Sequence, residues 1–96
     1  MNKEDLDKLS DGELSQLITN LNDYGAFYHF NINNWADMGP LIAISSITLQ
    51  SPRYYQVDYW SASGDVSDGD GTCECFSSNH TNPLRAAAIV YLLMQE

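Results

Sequence analysis

The sequence predicts a small α+β protein in one domain, residues 1–96: an antiparallel three-stranded sheet packed with an N-terminal amphipathic helix, a short second helix and a buried C-terminal helix. Three observations predict it. Asn82-Pro83-Leu84-Arg85 opens a run, 86–94, that is apolar nearly all the way round and meets no charge until Glu96. Asn82 can cap the first turn and Pro83 fits the first helical position, where a missing N–H does no harm. A short soluble chain carries such a helix only by burying it. Second, Ser10-Asp11-Gly12-Glu13 is a capping box, and Leu14, Leu17, Ile18 and Leu21 follow at the spacing of one helical stripe. Third, three stretches rich in β-branched and aromatic residues lie between these helices, with connections short enough for antiparallel pairing.

The elements follow in order. Residues 1–9 are charged and predicted to fray. The amphipathic helix ends at Asn22-Asp23-Tyr24-Gly25, and 26–30 is a brief strand or an ordered connector before a turn at 31–34. A second helix is predicted over 35–45. Gly39-Pro40 is awkward inside it, because proline costs little only in a first turn, so the start is expected nearer Asp37 than Asn34. Residues 47–50 read as a strand. Residues 53–60 are the strongest strand signal, with Tyr55, Val57 and Tyr59 on one face and Tyr54, Gln56, Asp58 and Trp60 on the other. Residues 61–71, rich in Gly, Ser and Asp, are expected to form a loop, 72–76 a last strand, and 77–81 the lead into the final helix.

Size and charge narrow the function. A chain of 96 residues buries roughly two-thirds of the surface it exposes when unfolded, enough for one core. Thirteen acids face four bases, a formal charge of -9. Affinity for nucleic-acid phosphates comes from Lys and Arg displacing counterions, so direct nucleic-acid binding is excluded on charge, and anionic membranes are disfavoured alike. An acidic exterior suits solubility, a basic partner, or imitation of nucleic acid. Residues 1–11 lack a secretory pattern, and the C-terminal apolar run falls short of the ~20 residues a bilayer requires. Cys73 and Cys75 lie too close for an unstrained bridge and are expected to stay reduced, as in a cytoplasm.

Candidate chemistry is thin. Asp65-Val66-Ser67-Asp68-Gly69-Asp70-Gly71 suggests a calcium loop, but its spacing fails the EF-hand pattern and a solvated hairpin loop accounts for it. Cys73 and Cys75 with His80, and His29 at a distance, form a weak zinc pattern; alternate positions in a strand share a face, where cysteines are ordinary core. No phosphate loop, nucleophile elbow or triad context appears, so an enzyme is not expected, and neither is a cofactor. Two acidic groups stand out: Glu4, Asp5, Asp7, Asp11 and Glu13, then Asp58, Asp65, Asp68, Asp70 and Glu74. If they adjoin they make one negative field. Tyr54, Trp60 and Trp35 would add aromatic anchors, unless Trp35 packs in the core.

Leu9-Ser10-Asp11-Gly12-Glu13-Leu14, Asn31-Ile32-Asn33-Asn34-Trp35-Ala36-Asp37-Met38-Gly39-Pro40-Leu41-Ile42 and Asn82-Pro83-Leu84-Arg85-Ala86-Ala87-Ala88-Ile89-Val90 resemble the NinX-like family, small phage and prophage proteins of unknown function. More loosely, the chain is similar to phage proteins with a helix–sheet–helix sandwich. The resemblance implies phage origin, host-cell cytoplasm and an α+β sandwich. It transfers no catalytic residue. The expected function is that of an interaction protein whose partner-binding residues are Asp58, Asp65, Asp68, Asp70, Glu74, Tyr54 and Trp60. The expected partner is a host protein with a basic nucleic-acid-binding surface, such as a CRISPR or restriction complex. The runner-up is an accessory metal-binding or regulatory protein built on Cys73, Cys75 and His80; a small enzyme is a third. The aromatic strand could also pair edge to edge with a second copy.

Overall fold

The computed structural model describes residues 3–22, 30–67 and 73–95, with the side chains of Asn22, Tyr54, Tyr55, Ser67 and Cys73 outside that description. In chain order the elements are α1 (Lys3–Asp7), α2 (Asp11–Asn22), α3 (Trp35–Ile44), β1 (Thr48–Gln50), α4 (Pro52–Tyr55), β2 (Trp60–Ser67), β3 (Cys73–His80) and α5 (Pro83–Met94). The expectations for the end of α2 at 23–25, for 26–29, His29 among them, and for 68–72 fall outside the described residues.

The start signals at both ends of the chain hold. Ser10 Oγ accepts from the Glu13 amide while the Glu13 carboxylate accepts from the Ser10 amide, each at 3.1 Å, the two halves of a capping box. Asn82 Oδ1 accepts from the Leu84 amide at 3.0 Å, and Pro83 follows at the first helical position. From Leu84 to Leu93 every α5 residue is buried.

The sheet order is β1-β2-β3, antiparallel throughout, with Leu49 opposite Ala62, Ala62 opposite Ser78 and Gly64 opposite Phe76. That face lies on α5. The helix approaches so closely that a Cβ at Gly64 would sit 2.5 Å from Met94 Sδ and 3.2 Å from Val90 Cγ1. Ala62 and Ser78 on the sheet, and Ala86 and Ala87 at the helical spacing of Val90, are small where helix and sheet meet. The remaining sides of α5 take α1, α2 and α3, whose buried Leu6, Leu14, Ile18, Met38 and Leu41 belong to the same core. So α5 lies between a sheet and a layer of helices, which is why it has no polar stripe. Among the described residues no helix covers the opposite face of the sheet, where Thr48, Ser63, Asp65, Cys75, Ser77 and Asn79 are exposed. The helix–sheet–helix sandwich suggested by the looser resemblance is thus not formed by these residues.

Several expectations are corrected. Residues 3–7 do not fray: they form α1, with Leu6 only 2% exposed. The predicted strand over 53–60 is mostly not one. Ser51-Pro52 starts the single turn α4, closed by Gln56 in the left-handed region and by the Val57 amide donating to the Pro52 carbonyl at 3.0 Å. Proline at the first position and a left-handed residue at the end outweighed aromatic strand propensity. Conversely, much of the predicted loop is strand β2. Its Gly and Ser content reflects a small-residue face under α5 and a polar face toward solvent. β3 runs to His80, beyond the predicted end at 76.

Helix α3 begins at Trp35, not near Asp37. Asn34 caps it, accepting from the Ala36 amide at 2.9 Å, and the helix runs through Pro40. Proline there leaves the Ala36 carbonyl without its usual donor. Ala36 is exposed, so water can serve that carbonyl. At the other end Ser46 is left-handed, its amide donates to Ala43 and the Ile47 amide donates to Ile42, a Schellman closure that turns the chain into β1.

Candidate functional site

Where α2 and α5 begin, and just ahead of α3, one set of polar side chains converges. Arg85, in the first turn of α5, is buried, and its guanidinium donates to Asp11 Oδ1 at 2.7 Å and to the Asp7 and Leu9 carbonyls at 2.9 and 2.6 Å. Those two carbonyls lie at the C-terminal end of α1, where a cation is favourable. Asn33 Nδ2 donates to Asp11 Oδ2 at 3.1 Å, and Asn82 Nδ2 donates to Asn33 Oδ1 at 2.9 Å. The Asn82 amide donates to His80 Nδ1 at 3.0 Å, so this tautomer carries its proton on Nε2. The hydrogen bond from Asn33, followed by the one from Arg85, holds the Asp11 carboxyl below its ordinary value. This junction ties helices, turn and sheet together.

The junction was not singled out as a site from the sequence, yet Asp11, Asn33, Asn82 and Arg85 fall inside the three stretches that carry the family resemblance. One signal was available. Arg85 is a lone charge at the head of an apolar helix, and a charge so placed requires a partner when it is buried. Asp11 accordingly leaves the surface acidic group: its charge is met by Arg85.

The remaining predicted residues lie along β2 and β3. Trp60 pairs with His80, close to the start of α5, whereas Gly64 meets Met94 at its end. Asp58 is exposed just before Trp60, and Trp60 is half-buried on the α5 side of the sheet rather than fully presented. Beyond Gly64 the hairpin continues past the end of α5, carrying exposed Asp65 and Glu74 at neighbouring register positions. Asp68 and Asp70, within the connection, and the Tyr54 side chain fall outside the described residues. Exposed Glu4, Asp5, Asp7 and Glu13 belong to the α1–α2 region, held to the opposite end of α5 through Arg85. Asp65 and Glu74 therefore lie toward the other end of α5 from these acids, whereas Asp58, beside Trp60, lies toward the same end. Trp35 is 55% exposed, which settles against a core role.

The zinc arrangement is overturned by strand parity. Cys75 is exposed on the open face, so that face is not core as expected, while His80 lies on the α5 side. Successive residues of a strand point to opposite faces, so positions 75 and 80, an odd number apart, do not share one. Among the described residues no three His, Cys, Asp or Glu side chains gather where they could hold a metal ion. Also among the described residues, no helix is long and apolar enough to cross a membrane.

Fold and surface together define a small α+β protein with its helices gathered on one side of an antiparallel sheet and an acidic exterior. The family model described as "Bacteriophage P22, NinX" matches residues 11–95, and the chain belongs to that phage family. The match begins at Asp11 and takes in Asn33, His80, Asn82 and Arg85, so the whole side-chain junction lies within it. No curated protein and no solved structure matches the chain significantly.

Proposed function

We propose that this phage protein works by binding a host protein through the acidic end of the β2–β3 hairpin, covering a basic surface that otherwise holds nucleic acid. The observation that carries the reading is the charge pattern of 54–84. Five acids, Asp58, Asp65, Asp68, Asp70 and Glu74, lie there with no lysine or arginine. Arg85, the next cation along the chain, is buried against Asp11 and cannot dilute them. The N-terminal acids are less one-sided, since Lys3 and Lys8 stand among them and are exposed.

A projecting hairpin with carboxylates on it can enter a groove shaped for a phosphate backbone. Complementary charge speeds the encounter and selects basic partners over others. The action is inhibition of a host nucleic-acid-handling complex in the host cytoplasm, of the anti-restriction or anti-CRISPR kind, by binding and not by catalysis. The exposed carboxylates of Asp65 and Glu74 can accept from guanidinium groups as phosphate oxygens do.

The test is competition. The full chain is used to capture host proteins, and each captured protein is challenged with duplex DNA or RNA. The reading expects nucleic acid to release the protein, and expects a joint Asp65→Asn and Glu74→Gln variant to capture less. A stable ternary complex of partner, nucleic acid and this protein would overturn it.

A further inference from the structure

Helix α1 is too short to hold itself. It has five residues, and isolated helices shorter than roughly 12–15 residues are marginal in water. The body of the protein holds it at two points. Leu6 enters the core, and Leu9, three residues on, packs partly against it. Arg85 Nη2 donates to the Asp7 and Leu9 carbonyls, at 2.9 and 2.6 Å, where the turn ends. Lys3, Glu4, Asp5, Asp7 and Lys8 are all exposed.

What receives α1 belongs to later elements. Arg85 is buried in α5, and its other terminal nitrogen, Nη1, is fixed by Asp11 of α2 at 2.7 Å. The Asp11 contact keeps Nη2 aimed at the place where the two carbonyls lie. Ser10 and Glu13 close the start of α2 with their own capping box, so α2 does not depend on α1 to begin. The Lys8 and Leu9 amides donate to the Asp5 and Leu6 carbonyls, within the same segment, so these bonds leave with it. The joint between strap and body is therefore at Leu9–Ser10. Charge gives a competitor an advantage over α1. Residues 3–9 carry three acids and two lysines, so α1 adds negative charge to a chain already strongly acidic. A turn with the same leucines and basic flanks would fill the same slot and be attracted to its surroundings.

We infer that Arg85 and the slot filled by Leu6 form a peptide-binding site, which α1 closes in the free chain. Its ligand is a helical turn of a partner protein with two leucines three residues apart, basic flanks and free carbonyls for Arg85. This is helix-in-groove recognition, with α1 as the internal occupant that the ligand displaces. The site uses no part of the acidic hairpin and stands whether or not that surface binds a host protein.

Two measurements on the full chain test it. In native-state hydrogen exchange, the Leu9 amide is expected to exchange through a local opening that low denaturant does not promote, while α5 amides exchange only on global unfolding. In titration calorimetry the probe is a peptide of residues 3–9 carrying Glu4→Lys, Asp5→Lys and Asp7→Lys. It should bind the Leu6→Ala chain about tenfold or more tighter than wild type, because the weakened strap leaves more chains open. The same peptide with Leu6→Ala and Leu9→Ala added should bind neither protein, which separates the slot from simple attraction of a basic peptide to an acidic surface. Exchange of the Leu9 amide only on global unfolding would overturn the inference. So would a Leu6→Ala chain that fails to fold, since α1 would then be part of the core and not a removable cover. Equal affinity of the peptide for the two proteins, or of the two peptides for one protein, would overturn it as well.

Discussion

Arg85 Nη1 donates to Asp11 Oδ1 at 2.7 Å across 74 positions of sequence. Through this contact and the two carbonyls of α1, one cation holds the beginning of the chain to its last helix. The pair is asymmetric: the Arg85 side chain is 9% exposed and that of Asp11 42%.

Removing the cation should therefore loosen the N-terminal region more than the sheet. Arg85→Met keeps much of the buried volume and is expected to destabilise by about 2–3 kcal/mol, because two carbonyls and a carboxylate lose a charged donor together. Chemical denaturation checks the magnitude. Hydrogen exchange should show α1 opening first.

Acid should act on the same contact. The Asp11 pKa is lowered in the folded protein, chiefly by Asn33 and then by Arg85, so the folded state favours the ionised carboxyl. That contribution is present in full above the unfolded carboxyl's range and is lost as pH falls through the lowered folded value. Urea midpoints should fall on acidification through the carboxylate range. Asp11→Asn, which has no such proton to take up, should flatten the acid limb.

Close packing at the sheet gives a paired prediction. Gly64→Val should cost about 2–3 kcal/mol, because its Cβ would meet Met94 and its methyls Val90. Ser78→Ala should be neutral or stabilise by about 1 kcal/mol. Ser78 Oγ is fully buried and has no hydrogen-bond partner among the described residues, so its removal ends a desolvation cost. Thermal melts of the two variants should move in different directions.

Pro40 is a local fault. Pro40→Ala restores a donor to the Ala36 carbonyl and should stabilise by about 1–2 kcal/mol in equilibrium unfolding at low protein concentration.

These residues also show what could be read in advance. The capping box, the Asn82-Pro83 start and the buried final helix were legible because each rests on local chemistry that the fold leaves intact. The outline of an α+β protein followed from them. The middle of the chain misled for two reasons. Tyr54, Val57 and Tyr59 have strand propensity, but Pro52 and a left-handed Gln56 impose a turn, and propensity yields to such constraints. Ser61, Ser63 and Gly64 look like loop composition, yet they are a strand whose inner face is kept small by α5. That closeness belongs to packing and cannot be read from residue types in one segment. The Arg85–Asp11–Asn33–Asn82 junction was hidden by distance along the chain. The acids were visible as groups, but only the register of β2 and β3 against α5 shows that Asp65 and Glu74 lie toward the end of that helix away from the N-terminal acids.

The function proposed rests on charge at one place, so salt is the most direct probe. With a captured host partner in hand, its dissociation constant should be measured as ionic strength rises, for wild type and for the joint Asp65→Asn and Glu74→Gln variant. Wild-type affinity should fall steeply with salt, and the variant should be weaker and less salt-sensitive, since screening acts on the charges it lacks. Binding that is indifferent to salt, or identical in the two proteins, would contradict an acidic hairpin as the working surface.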